Sequence, residues 1–389
     1  MKKDLLFVID SLHSGGAEKS LVSLLSTLDY NKFNVDLLLF NKDGLYLSLV
    51  PKQVKILEVP EYFEEKRKRR SSKKIAIKIA QIKNSILIRN PYYNKKYHGA
   101  QITCKNILKI LDSQIKKYDV AIAYSQGLPT YYVAEKVNAD KKLCWINTDY
   151  KKAGYNPIFD KKYYEKYNYM IAVSEKNKEV LESVYPDFKD KMRVIYDIIS
   201  PKLVRNMANE GQGYDDKFDG IRILTIGRHV HLKGYDMAID AAKLLKENGV
   251  NFRWYSIGEG VLTNDLKKQV KEKGLEDNFI FLGTYTNPYP FIKECDIYCQ
   301  PSRFEGFGMA IAEAKILEKI IIATNFDIVY DQIENMKNGL IVNMNSKDIY
   351  MGIKNILKDE NLIKSIKYNL CSKKIVLEDQ VKKFNKLIT

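Results

Sequence analysis

Short apolar runs of four to six residues recur along the chain, separated by stretches whose apolar side chains fall at helical intervals. In the first half the runs are Leu5–Ile9, Val35–Phe40, Val54–Val59, Val120–Tyr124, Leu143–Ile146, Met170–Val173 and Arg193–Tyr196. Helical spacing marks Ala17–Leu28, Lys73–Ile88, Thr103–Lys116, Thr130–Val137 and Glu175–Val184. Runs this rich in Val, Ile and Leu read as strands buried on both faces. Strands alternating with helices predict doubly wound parallel sheets.

The alternation pauses at residues 200–219, SPKLVRNMANEGQGYDDKFD, which are polar, contain Gly and are poor in strand formers. This stretch predicts a linker at 201–220. The alternation then restarts with strand candidates Ile221–Ile226, Phe252–Ile257, Phe279–Leu282, Ile297–Gln300, Ile320–Ala323 and Gly339–Val342. Helix candidates between them are Tyr235–Lys246, Leu262–Lys273, Pro288–Lys293 and Gly308–Leu317, and the tail from Lys347 is helical and Lys-rich. The pattern predicts two α/β domains, 1–200 and 221–389, with the last helix expected to pack back on the N-terminal domain. A chain of 389 residues accommodates both.

Composition narrows the class. Hydrophobic residues make up 45% and charged residues 29%, which suits a globular protein and excludes a disordered one. The apolar run Leu5–Ile9 lies between Asp4 and Asp10 with no cleavage site after it, so it reads as a buried strand rather than a leader. No run approaches the ~20 apolar residues that a membrane span needs. Five cysteines lack C-x2-C spacing, the four histidines complete no zinc pattern, and the odd cysteine count suits a reducing cytoplasm.

The net charge of +16 is unevenly distributed. Residues 1–200 hold 36 basic and 23 acidic residues, and residues 51–100 alone hold 14 basic and 4 acidic. Within residues 61–97 the run Lys66–Arg70 precedes a helical pattern. Ile75, Ile79, Ile82 and Ile86 form one stripe of it, with Lys74, Lys78 and Lys83 away from the stripe and Tyr92, Tyr93 and Tyr97 near its end. An interfacial helix on an anionic leaflet has this composition, and so does a core-packing helix with a solvated basic face. No helix-turn-helix, zinc or ribonucleoprotein signature accompanies the charge, so nucleic acid is not expected as a partner.

Three segments carry candidate chemistry. Pro301–Ala314, PSRFEGFGMAIAEA, follows a strand and opens into a helix, with Glu305 and Glu313 eight residues apart. Between them Gly306, Phe307, Gly308 and Met309 bring backbone N–H groups and a helix N-terminus toward an anion, and the two carboxylates can accept from hydroxyls. A sugar, a diphosphate and a ribose fit that arrangement. So does a plain strand–turn–helix. In Ile223–Ala242, ILTIGRHVHLKGYDMAIDAA, Arg228 and Lys233 follow a strand end, where open α/β sheets bind ligands. They can hold a diphosphate, or simply be solvated loop cations. Asp10–Lys19, DSLHSGGAEK, places Gly15 and Gly16 in a tight turn that matches neither G-x-G-x-x-G nor a P-loop, and His13 is a loop residue there.

The order and spacing of these segments resemble the glycosyltransferases of family 4. The family shows a Gly-Gly turn after its first strand, then R-x4-K-G, then G-[DE]-G, matched by Gly258-Glu259-Gly260, then E-x7-E, matched by Glu305 and Glu313. The resemblance is nearly continuous over 221–342 and looser over 1–200. It implies the GT-B fold, in which two Rossmann-like domains face a central cleft. It also implies sugar transfer from a nucleotide diphosphate sugar, with retention. On this likeness Arg228 and Lys233 bind the donor diphosphate and offset charge on the leaving nucleotide. Glu305 contacts donor-sugar hydroxyls, residues 306–309 and Gly258 approach the donor, Glu313 binds ribose, and Gly15 and Gly16 meet the diphosphate. UDP stands ahead of GDP as the expected nucleotide, and no cofactor or metal is implied, since no D-x-D site is evident. Many members place a histidine after the fifth strand. Here Asn147 stands there, with Asp149 two residues on, and both are candidates for the acceptor side. The expected protein is a cytoplasmic enzyme attached peripherally to the inner face of the membrane, acting on a lipid-linked saccharide of surface polysaccharide synthesis. A GT-B epimerase or phosphorylase, or a non-catalytic basic adaptor for membrane or nucleic acid, are the alternatives. The linked R-x4-K and E-x7-E argue against the epimerase, and the four charged site residues argue against the adaptor.

Overall fold

A computed structural model describes residues 2–13, 15–63, 74–372 and 377–389. The chain forms two compact units, Met1–Ile198 with Leu377–Thr389, and Ile199–Val376. In the first, β1 (Lys3–Ile9), β2 (Phe33–Leu39), β3 (Val54–Ile56), β4 (Tyr118–Ala123), β5 (Ala139–Ile146), β6 (Tyr169–Ala172) and β7 (Met192–Val194) form one parallel sheet in the order β3-β2-β1-β4-β5-β6-β7. Successive residues of a strand point to opposite faces. Leu5, Phe7 and Ile9 of β1 therefore enter one core cluster while Leu6 and Val8 enter the other, and all are buried.

The helix Leu377–Ile388 completes this unit. Phe384 is fully buried, with its ring 6.2 Å from that of Phe7 and 5.9 Å from that of Trp145. The Gln380 amide oxygen accepts from the Tyr196 N–H at 3.0 Å. On the other face, buried Asp160 accepts from Gln101 Nε2 and the Tyr131 hydroxyl, each at 2.7 Å, and from the Tyr150 hydroxyl. Burial pushes its carboxyl pKa up, although the Tyr150, Gln101 and Tyr131 bonds favour the charged form. Asp160→Asn keeps the shape but turns one acceptor into a donor facing a donor. It is expected to cost about 1–3 kcal/mol, read as a lower urea midpoint with an unchanged slope. An unchanged midpoint refutes the structural role.

The second unit holds β8 (Ile221–Ile226), β9 (Phe252–Ile257), β10 (Phe279–Gly283), β11 (Ile297–Gln300), β12 (Ile320–Thr324) and β13 (Leu340–Val342), parallel in the order β10-β9-β8-β11-β12-β13. Strand order reverses between β8 and β11, so a crevice opens at their carboxyl ends.

Three short helices, Pro91–Lys96, Pro157–Tyr164 and Pro201–Asn209, fall where no helix was expected. Each has Pro at its first position and Asn90, Asn156 or Ser200 as N-cap, whose side-chain oxygen accepts a first-turn N–H. The third corrects the linker at 201–220. That stretch begins as helix and belongs to the second unit, where Asp216 pairs with Arg222 at 2.8 Å and Arg253 at 2.7 Å. The expected helix Thr103–Lys116 is instead Gly99–Ile107, because a capping box between His98 and Gln101 sets an earlier start.

The run Lys66–Arg70 lies outside the described residues. The helix Lys74–Arg89 after it buries Ile77, Ala80 and Asn84, and Asn84 accepts from Asn106 Nδ2 at 2.6 Å. Its isoleucine stripe faces outward: Ile75 is 76% exposed, Ile79 60%, Ile82 55% and Ile86 61%. The stripe is therefore not the core-packing face of this helix.

Candidate functional site

Both reversal-point strands of the second unit end in loops that carry the sequence's candidate residues. After β8, a single turn of 3-10 helix, His231–Lys233, leads to Gly234 and the helix Tyr235–Glu247. Gly234 has φ +66°, and a Cβ there would lie 1.9 Å from the Pro301 carbonyl oxygen, so only glycine lets the two loops touch. Gly258, after β9, has φ +137°, and its Cβ would fall 2.0 Å from the Gly227 carbonyl oxygen. These approaches draw three strand-end loops together.

The structure joins Lys233 to Glu305. Lys233 Nζ lies 2.7 Å from both Glu305 oxygens. Glu305 Oε1 also accepts from Gln300 Nε2 at 2.7 Å and from Ser302 Oγ at 2.6 Å. The carboxylate is 8% exposed, so its charge is held by one cation and two neutral donors. Arg303 anchors the same loop, bonding Asp236 at 2.7 and 2.5 Å through both guanidinium nitrogens. Gln300, Ser302, Asp236 and Arg303 escaped the sequence reading. Arg303 and Ser302 flank the motif, but nothing in their spacing names their partners.

Arg228 is exposed and makes no ion pair among the described residues. With Lys233 matched by Glu305, Arg228 supplies the unmatched positive charge of the loop. Its neighbour His229 is fully buried, with Nδ1 2.9 Å from Thr263 Oγ1 and Nε2 2.9 Å from Ser256 Oγ. Burial, and then the Lys267 charge, push its pKa down to about 4, so the ring is neutral near pH 7. The folded chain thus binds fewer protons here than the unfolded chain as pH falls from 6.5 toward about 4, and this group's share of stability is lost across that window.

Gly308 caps the helix Met309–Ile316, whose first N–H groups have no intrahelical acceptor. Gln332 Nε2 donates to the carbonyls of Phe307 and Gly308, orienting the turn that holds Gly306. Glu313 is fully buried, and Tyr289 donates its hydroxyl to Oε1 at 3.0 Å. Tyr289 thus already occupies part of the carboxylate that the likeness assigns to ribose.

The remaining candidates lie in the first unit. Gly15 is the N-cap of the helix Gly16–Thr27, and a Cβ on it would lie 2.0 Å from Glu18 Oε2. Exposed His13 sits 3.5 Å from Asp43. Asn147 follows β5 and donates Nδ2 to the Tyr124 carbonyl at 3.0 Å. Asp149 Oδ1 accepts from the N–H groups of Lys151 and Lys152 at 3.0 and 3.1 Å, so its side chain shapes the loop.

Two parallel sheets, with charged strand-end loops at the reversal point of the second, make a nucleotide-binding architecture. Comparison with known proteins specifies it further. Residues 215–371 match the family model of glycosyl transferases, group 1. Over 370 residues the chain is 26% identical to the N-acetylgalactosamine-N,N'-diacetylbacillosaminyl-diphospho-undecaprenol 4-alpha-N-acetylgalactosaminyltransferase of Campylobacter jejuni, covering 92% of this chain and 91% of that one. It is 36% identical over 130 residues to the poly(ribitol-phosphate) alpha-N-acetylglucosaminyltransferase of Staphylococcus aureus, covering 32% and 26%. Anabaena HepE in complex with UDP and glucose superposes with a TM-score of 0.71 at 15% identity, covering 99% and 98%. A variant of S. aureus TarM with UDP bound gives 0.67 at 16%, covering both chains fully. The fold is GT-B, and the protein is a glycosyltransferase. Its second unit carries the group 1 glycosyl transferase domain.

Proposed function

We propose that this enzyme moves a sugar, with retention, from a UDP-sugar to a lipid-linked saccharide in surface polysaccharide synthesis. In this reading it is a metal-independent member of family 4. The observation that carries it is the Lys233–Glu305 pair beside an exposed Arg228 at the carboxyl ends of β8 and β11. A departing nucleotide diphosphate needs fixed cations, and the donor sugar needs a hydroxyl acceptor within reach of them. Arg228 and Lys233 neutralise the diphosphate, Glu305 Oε2 takes a sugar hydroxyl, and the N-terminal turn at 306–309 meets the phosphates. The names of both relatives specify α-linked products, and one acts on an undecaprenol diphosphate acceptor. UDP occupies the two solved neighbours.

In the same reading the enzyme sits peripherally on the inner, anionic face of the membrane. No described helix is long and apolar enough to cross a membrane. The outward isoleucine stripe of Lys74–Arg89 and the surrounding basic residues support attachment to its surface, and five free thiols suit a reducing compartment.

The test is a thermal-shift panel of UDP, GDP, ADP and their sugars, followed by donor hydrolysis with and without a chelator. A ligand at 100 times its Kd adds about 2.7 kcal/mol to the folded state, so a true donor stands out from the panel. UDP and UDP-sugars are expected to stabilise most, and hydrolysis to survive the chelator. No stabilisation by any nucleotide overturns the donor reading, and loss of hydrolysis with the chelator overturns metal independence.

A further inference from the structure

The residues on either side of Arg228 are clamped, while its side chain is exposed. Gly227 donates its N–H to the Ile257 carbonyl at 3.0 Å, and its own carbonyl accepts from the Tyr235 hydroxyl at 2.9 Å. His229 is held four ways: its N–H reaches the Glu259 carbonyl at 3.1 Å, its carbonyl accepts from Leu262 N–H at 3.0 Å, and its ring bonds Ser256 and Thr263. Thr263 Oγ1 in turn accepts from the Gly260 N–H at 2.9 Å. Gly260 packs so close that a Cβ there would lie 2.5 Å from the His229 carbonyl oxygen.

We infer that His229 is a positioning residue for the donor. Locked between Ser256 of β9 and Thr263, it fastens the Arg228 loop to the Gly258–Gly260 turn and so directs the Arg228 guanidinium at a nucleotide diphosphate. The inference rests on the donor reading above. Arg carries several rotatable bonds, and ordering them costs entropy on binding unless the backbone that bears them is already fixed. A neutral imidazole suits the task, since it offers one donor and one acceptor to two hydroxyls that can each play either part. A leucine of similar bulk would leave the buried Ser256 hydroxyl without this bond.

The experiment is a double-mutant cycle on the full chain, with UDP binding by calorimetry and donor KM and kcat as readouts. His229→Ala is expected to weaken UDP binding and raise donor KM about tenfold in the wild-type background, and to change either less than about twofold in Arg228→Ala. Equal losses in both backgrounds, or a fall in kcat alone, mean a merely structural histidine and overturn the inference. If His229→Ala does not fold, Ser256→Ala with Thr263→Val removes both ring bonds, and the same non-additivity is expected. A wild-type chain that binds no nucleoside diphosphate overturns the donor reading and this inference with it. A wild type that binds UDP while the cycle is additive overturns this inference alone.

Discussion

Lys233→Ala is expected to lower kcat/KM for sugar transfer about a hundredfold, the scale of removing one preoriented charge stabiliser from a site. Two effects combine. The variant loses a cation that would meet the diphosphate as negative charge develops on it. It also leaves Glu305, 8% exposed, with only Gln300 and Ser302 as donors, so the carboxylate that should take a sugar hydroxyl is less firmly held. Lys233→Arg should not rescue activity, because a forked guanidinium cannot place one nitrogen between both oxygens as Nζ does. Arg228→Ala should cost a similar factor but leave thermal stability unchanged, since its side chain is exposed. Near-normal kcat/KM in both single variants refutes the diphosphate assignment. Glu305→Ala should chiefly weaken binding of the sugar-bearing donor and Glu313→Ala that of free UDP. Calorimetry showing the reverse order refutes their separate roles.

Replacing Ile75, Ile79, Ile82 and Ile86 together by serine is expected to lower binding to anionic vesicles about a hundredfold or more. Four isoleucines moving from water into an interface at ~1 kcal/mol each suffice for that shift. The helix should persist, because its inward residues Ile77, Ala80 and Asn84 are untouched. Neutralising Lys66, Arg67, Lys68, Arg69 and Arg70 should have a similar effect, and added salt should mimic the charge change but not the isoleucine change. Hydrolysis of the donor in solution should survive in both variants, since its residues lie in the other unit. Unchanged co-sedimentation of the isoleucine variant removes the stripe from membrane attachment. A change in oligomeric state instead means that the stripe covers a second copy of the chain.

Much of this protein is legible in its residue order because the relevant physics is local. Every apolar run expected as a strand is one, since a parallel strand buried on both faces must be apolar throughout. The loops bearing Arg228, Lys233 and Glu305 were found for a related reason. Glycines that permit close approach and cations at strand ends leave a mark within about fifteen residues. The short helices after Asn90, Asn156 and Ser200 also carried a local mark, an N-cap followed by proline, but their few residues show no helical periodicity to accompany it.

What only the tertiary structure decided concerns partners and directions. Lys233 and Glu305 stand 72 positions apart, and both read as ligand contacts until the fold made them contacts of each other. His229 looked like an unremarkable loop residue until folding enclosed it between hydroxyls 27 and 34 positions away. Helical spacing grouped Ile75, Ile79, Ile82 and Ile86 on one face, yet periodicity is blind to which face meets the core. Asn84 and Ala80 turned inward because Asn106 on the neighbouring helix could satisfy a buried amide there. A hydrogen bond between distant residues, unlike a strand or a turn, leaves no periodic trace in either partner's surroundings, and so it is settled only when the chain has folded.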